Sequence, residues 1–137
     1  MLEHYSLIAV VIAALISYFI GFIWYSPALF GKTWGEAFVA KEGITKEDMK
    51  PSPELFIGAL VLAGIMAYGL ALLMELGQVH TFGNAIWLSF VAWLALVATT
   101  HFSGVIWARK PLTMYFVDVS CVLAQIVLIT LFLTWWG

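Results

Sequence analysis

The chain has 137 residues, 64% of them apolar and 10% charged, with a net charge of -2 and a mean hydropathy of +1.01. Soluble domains carry about 25% charged residues, so this composition excludes a soluble enzyme, a disordered tail and a secreted disulfide scaffold. The acidic balance leaves no basic patch for nucleic acid, and the single Cys121 excludes an internal disulfide.

The charges are confined to short stretches. No Asp, Glu, Lys or Arg occurs in 4–31, 55–74, 76–108 or 119–137. A membrane-spanning helix needs about 20 mostly apolar residues. The pattern predicts an all-α integral membrane protein, a single membrane domain over 1–137. Its four transmembrane helices fall at about 6–25, 53–74, 83–107 and 112–136. The runs are apolar on every face, which disfavours the alternating strands of a β-barrel. The first run is too long for a signal peptide and lacks a basic start, so it is expected to remain as a span.

Helix ends carry their own signals. Ser26-Pro27 stops the first helix, because Pro cannot continue the hydrogen-bond ladder. Ser52-Pro53-Glu54 opens the second with a cap, a fixed φ and an acid on the positive dipole end. Gly77 and Gly83 bracket a short turn, and Pro111 separates the last two helices. In the loop 27–52, Leu29, Phe30, Trp34 and Phe38 recur opposite Lys32, Glu36 and Lys41. That spacing predicts a short interfacial helix, although a disordered charged linker is the alternative. Thr45 to Asp48 reads as a capping box before Pro51.

All six basic residues lie in 27–52 and 108–111: Lys32, Lys41, Lys46, Lys50, Arg109 and Lys110. Basic residues mark cytosolic loops. The expected location is the cell membrane, multi-pass, with both termini outside and these two loops cytosolic. Trp24, Tyr25, Trp34 and Trp107 are expected as interface anchors on the cytosolic side; mid-span Trp93 does not fit that pattern. Ser17-Tyr-Phe-Ile-Gly-Phe-Ile-Trp24 aligns without gaps on Thr100-His-Phe-Ser-Gly-Val-Ile-Trp107. The match suggests two hairpins in a parallel pseudo-repeat, unless such helix ends merely converge on one pattern.

Gly21-Phe-Ile-Trp-Tyr-Ser-Pro-Ala-Leu-Phe-Gly-Lys-Thr-Trp34 resembles the opening signature of the membrane family catalogued as domain of unknown function 1761. Trp87-Leu-Ser-Phe-Val91 and Trp107-Ala-Arg-Lys-Pro111, followed by Tyr115 and Asp118, are similar to its second half. The resemblance implies a small multi-pass membrane protein of bacterial type. It implies no activity and no catalytic residues.

Two ladders of small residues repeat every four positions: Ala9, Ala13, Ser17 and Gly21, then Ala59, Ala63, Ala67 and Ala71. Small side chains let membrane helices approach closely, so these faces predict contact between the first two helices or between subunits. A homo-oligomer, most simply a dimer, is the expected assembly.

Polar residues within the last two helices form the candidate intramembrane site: Thr100, His101, Ser103, Asp118, Ser120 and Gln125. His101 and Asp118 lie symmetrically about the Arg109-Lys110 turn. An intramembrane acid usually has a partner, and His101 is the candidate, as a functional or a structural pair. Alternatively Asp118 caps the last helix at the interface. Outside the membrane, Glu3, His4, Glu75 and His80 offer a metal-ligand set of N and O donors, but their spacing matches no motif. No enzyme motif and no cofactor signature occurs. Beyond the lipid bilayer as partner, two functions compete ahead of an intramembrane enzyme with Ser120 or Cys121 as nucleophile served by His101. One is a small oligomeric transporter or channel using the polar site between helices three and four. The other is an accessory protein binding a membrane-protein partner through its small-residue faces.

Overall fold

The computed structural model describes residues 5–26, 28–42 and 53–137; Pro27, the Thr45–Asp48 capping box, Lys46, Lys50, Pro51 and the Ser52 cap lie outside them. It is all-helical among the described residues. The helices are α1 (Leu7–Trp24), α2 (Gly31–Glu42), α3 (Pro53–Leu76), α4 (Phe82–Trp107) and α5 (Leu112–Trp136). All except α2 are long and apolar enough to cross a membrane.

Local chemistry sets several ends. The Ser6 side chain accepts from the Ala9 N–H and caps α1, and Thr81 does the same for α4 through Asn84. Past α3 and α4, Gln78 and Arg109 take positive φ of 52 and 54°. This left-handed step lets the Val79 N–H reach the Met74 carbonyl and the Lys110 N–H reach Gly104, closing each helix end. Gly31 starts α2 where no side chain is tolerated: a Cβ there would lie 2.1 Å from the Tyr25 carbonyl oxygen.

The helices pack around α5, which touches α1, α2, α3 and α4 and buries more residues than any other helix. α1 packs on both α3 and α5. At the α1–α3 contact, Ala9, Ala13, Ala67 and Ala71 are fully buried and Ala63 nearly so, whereas Ala59 is exposed. Tyr5 ties the far end together: its N–H donates to Glu75 and its hydroxyl to the Val79 carbonyl. Burial, then the charge of Glu75, raises the pKa of the Tyr5 phenol.

α4 is not a uniform helix. Residues Trp93–Ala98 form a π-helical segment, which the charge-and-hydropathy pattern did not predict. Two hydrogen bonds bolt it to α5. Trp93 Nε1 donates to the Val119 carbonyl at 2.7 Å, and Tyr115 donates its hydroxyl to the Ala98 carbonyl at 3.0 Å. The mid-span position of Trp93 is thereby explained. One turn earlier, buried Ser89 and Thr130 join α4 to α5 through their hydroxyls at 2.7 Å.

Replacing Ala67 by Leu inserts a branched side chain where no space exists, and overpacking costs about 1–3 kcal/mol. We expect a lower melting temperature in detergent for this variant, while Ala59→Leu at the exposed end of the same ladder leaves it near wild type.

Candidate functional site

The end of α1 meets the start of α5, and the polar groups of both converge there. Trp24 Nε1 donates to the Val117 carbonyl at 3.1 Å. The next residue, Tyr25, donates its hydroxyl to Oδ1 of Asp118 in a short hydrogen bond. Lys110 Nζ donates to Oδ2 of the same carboxylate at 2.6 Å. The Asp118 side chain is 14% exposed and that of Lys110 26%, so the pair is neither solvated nor isolated. Burial, followed by the hydrogen bond to and charge of Asp118, holds the Tyr25 phenol above its ordinary pKa. The phenol therefore stays protonated and serves as the donor. Trp34 of α2 sets its ring edge-on to Tyr25 at 5.8 Å and stacks on Phe38 at 5.1 Å, walling this corner.

From Tyr25 a groove of about 550 Å³ runs between α1, α3 and α5. Phe22, Phe56, Ala59, Leu62 and Met66 give it apolar walls; Ser17, Cys121 and Gln125 line it at its inner part. Phe22 and Phe56 stack across the α1–α3 gap, their centroids 5.7 Å apart. The small-residue contact holds the two helices together at the Tyr5 end, and they leave the groove near Tyr25. Gln125 Nε2 donates to the Ser17 carbonyl at 2.9 Å. Gly21 makes room for that reach, since a Cβ there would lie 3.2 Å from Nε2.

The site residues expected from the sequence are distributed differently. Asp118 pairs with Lys110 and Tyr25, and no hydrogen bond joins it to His101, whose Nδ1 faces the Val97 carbonyl at 3.0 Å. Thr99 donates to the Ala95 carbonyl, Thr100 to Leu96 and Val97, and Tyr115 to Ala98. A π turn displaces the backbone ladder by one residue and leaves carbonyl capacity unspent. The run Thr99-Thr100-His101 thus serves the carbonyls of the π-helical segment. Ser120 donates to Val117 on its own helix, and Ser103 is exposed. Gln125 belongs to the groove. Trp107 is 84% exposed. His80 is exposed and Glu75 binds the Tyr5 N–H; Glu3 and His4 lie outside the described residues. Among the described residues no group of three or more His, Cys, Asp or Glu is placed to hold a metal ion.

A family model described as "Protein of unknown function (DUF1761)" matches residues 8–134. The chain belongs to this family. Comparison with curated proteins and with solved structures finds no match. The stretch Gly21–Trp34, on which the sequence resemblance to DUF1761 rested, folds into the corner just described. In this DUF1761 chain Gly21 admits Gln125, Trp24 and Tyr25 hold α5, Gly31 clears the Tyr25 carbonyl, and Trp34 packs on Tyr25.

Tyr25 and Lys110 were legible only as an interface anchor and a loop charge. The signal for Lys110 is its position eight residues before Asp118, two turns away once Pro111 starts the helix. No local signal marks Tyr25, which lies 93 residues from Asp118 in sequence. Hydrogen bonds to charged groups contribute about 1.5–3 kcal/mol, less where water screens them. Tyr25→Phe should destabilise the protein by about 1 kcal/mol, and should cost almost nothing in an Asp118→Leu background. A double-mutant cycle of thermal unfolding in detergent measures that coupling.

Proposed function

We propose that this multi-pass membrane protein is a binding protein for an amphipathic molecule drawn from the bilayer. The apolar part of the ligand occupies the groove between α1, α3 and α5, and its polar head meets Tyr25, Lys110 and Asp118. The observation that carries this reading is the groove itself: apolar walls, open between exposed Phe22, Leu55 and Leu62, with Tyr25 in the lining and bonded to the Asp118 carboxylate behind it. Ligand sites are concave and mainly apolar, with a few placed polar groups, and this one has that composition.

Transport of a small solute between α4 and α5 has weaker support. The hydroxyls of Thr99, Thr100 and Ser120 and the imidazole of His101 are spent on carbonyls of their own helices. Transport of the amphiphile itself remains compatible with the groove and is the activity we favour. The two-hairpin pseudo-repeat and a two-fold homodimer belong to the same reading. The dimer draws support from the second half of α4, Thr99–Trp107, which has no buried residue. We place both termini outside and the loops 27–52 and 108–111 in the cytosol, because every basic residue lies in those loops.

Native mass spectrometry of protein released from mild detergent should show one amphiphile retained per chain. Ala59→Trp fills the groove from an exposed wall position, and should abolish retention with the melting temperature unchanged. Retention undiminished in that variant rules the groove out. For topology, impermeant thiol reagents applied to intact cells should label Leu2→Cys and spare Lys46→Cys.

A further inference from the structure

The inner part of the groove is not apolar throughout. Ser17 is 1% exposed, and its Oγ has no hydrogen-bond partner. This sets it apart from six other hydroxyls of the spans. Thr99, Thr100, Ser120 and Thr134 each donate to a carbonyl one turn back, and Ser89 and Thr130 bond each other. That bond is available to any helical serine or threonine, and Ser17 forgoes it. An unsatisfied buried hydroxyl costs about 1–3 kcal/mol, and such a group calls for a specific explanation.

Gln125 stands beside it. Its Nε2 is committed to the Ser17 carbonyl, and no protein donor reaches its Oε1 among the described residues. Ser17 and Gln125 both line the groove. Gln125 offers an amide oxygen, able to accept, and Ser17 beside it carries a hydroxyl, able to donate or accept, that is covered in this structure.

We infer that the ligand carries an uncharged hydroxyl or carbonyl part-way along its apolar body, received by Ser17 and Gln125. The inference rests on the groove being a ligand site, and it adds a chemical class: an oxygenated amphiphile rather than a plain acyl chain. The separation of the two polar stations supports it. Ser17 lies eight residues from Tyr25 along α1, and Gln125 seven from Asp118 along α5. At about 1.5 Å per residue both intervals are about 10–12 Å. A molecule with its head at Tyr25, Lys110 and Asp118 therefore brings its mid-body to Ser17. The group is uncharged because no formal charge occurs in 4–31 or 119–137 to pair with it, and an unpaired charge at this depth is costly.

The test uses two probes matched in chain length and unsaturation. Oleic acid has a plain chain, and ricinoleic acid carries a mid-chain hydroxyl. Each is titrated into the full-length protein in detergent and read by native mass spectrometry. We expect ricinoleic acid to bind about fivefold to tenfold more tightly, the value of one or two neutral hydrogen bonds in a shielded site. Ser17→Ala removes a hydroxyl that bonds nothing in the protein, so it should fold normally. It should reduce the preference severalfold and leave oleic acid affinity unchanged. Gln125→Leu, checked by its melting temperature, should reduce it as well. Equal affinity of the wild type for the two acids overturns this inference while the groove remains a binding site. A preference that persists in Ser17→Ala and Gln125→Leu also overturns it. Binding of neither acid, together with no retained amphiphile, overturns both this inference and the function it rests on.

Discussion

The bundle depends on one constraint: inside hydrocarbon no water is present to satisfy a polar group, so each must be answered by the protein. α5 supplies much of the answer. A helical carbonyl keeps a spare lone pair after its ladder bond. Those of Val117 and Val119 accept from the indole N–H groups of Trp24 and Trp93, on α1 and α4. Traffic also runs outward, from Gln125 to the Ser17 carbonyl and from Tyr115 to that of Ala98. Apolar contact between helices gains little over contact with lipid. These directional bonds therefore fix the rotation and depth of α1 and α4 against α5, and with them the shape of the groove.

The same constraint explains two features that look unrelated. Tyr25 and Lys110 both serve Asp118, so an acid near the membrane boundary is met by a donor and a cation instead of solvent. Thr99, Thr100, His101 and Tyr115 serve four successive carbonyls of the π-helical segment. In one case the protein brings partners to a side chain, and in the other to a stretch of backbone. Ser17 departs from this economy, and its departure falls on the wall of a cavity.

Spans were legible because length and apolar composition act locally: the bilayer imposes them on each helix separately. Family membership was legible in Gly21–Trp34 for a related reason, since that segment packs several constraints into adjacent residues. The candidate site was only half legible. Asp118 and Gln125 stood out as polar residues in an apolar helix, but their partners are set by how α1 lies against α5. Nothing in the spacing of one helix encodes that. His101 and Asp118 are symmetric about the Arg109-Lys110 turn in sequence, yet the π-helical segment and the turn decide where the imidazole faces. The Tyr25 and Gln125 roles follow from contacts between segments about 100 residues apart, and that of Ser17 from a bond not made; periodicity carries no trace of either.

The π-helical segment also makes α4 a helix of two phases. An extra residue accommodated in one turn rotates everything after it by about 100° relative to an uninterrupted α-helix. Trp93 and Ser89 are therefore aimed at α5 by one phase, and Thr99 to Trp107 by another. Shortening the 93–98 stretch by a single residue would restore a regular ladder and make α4 a better helix in isolation. It would also swing the Thr99–Trp107 half round its own axis, away from Tyr115 and the Lys110 turn. Length in this stretch is thus under tighter constraint than identity: most apolar replacements keep the phase, and no deletion does.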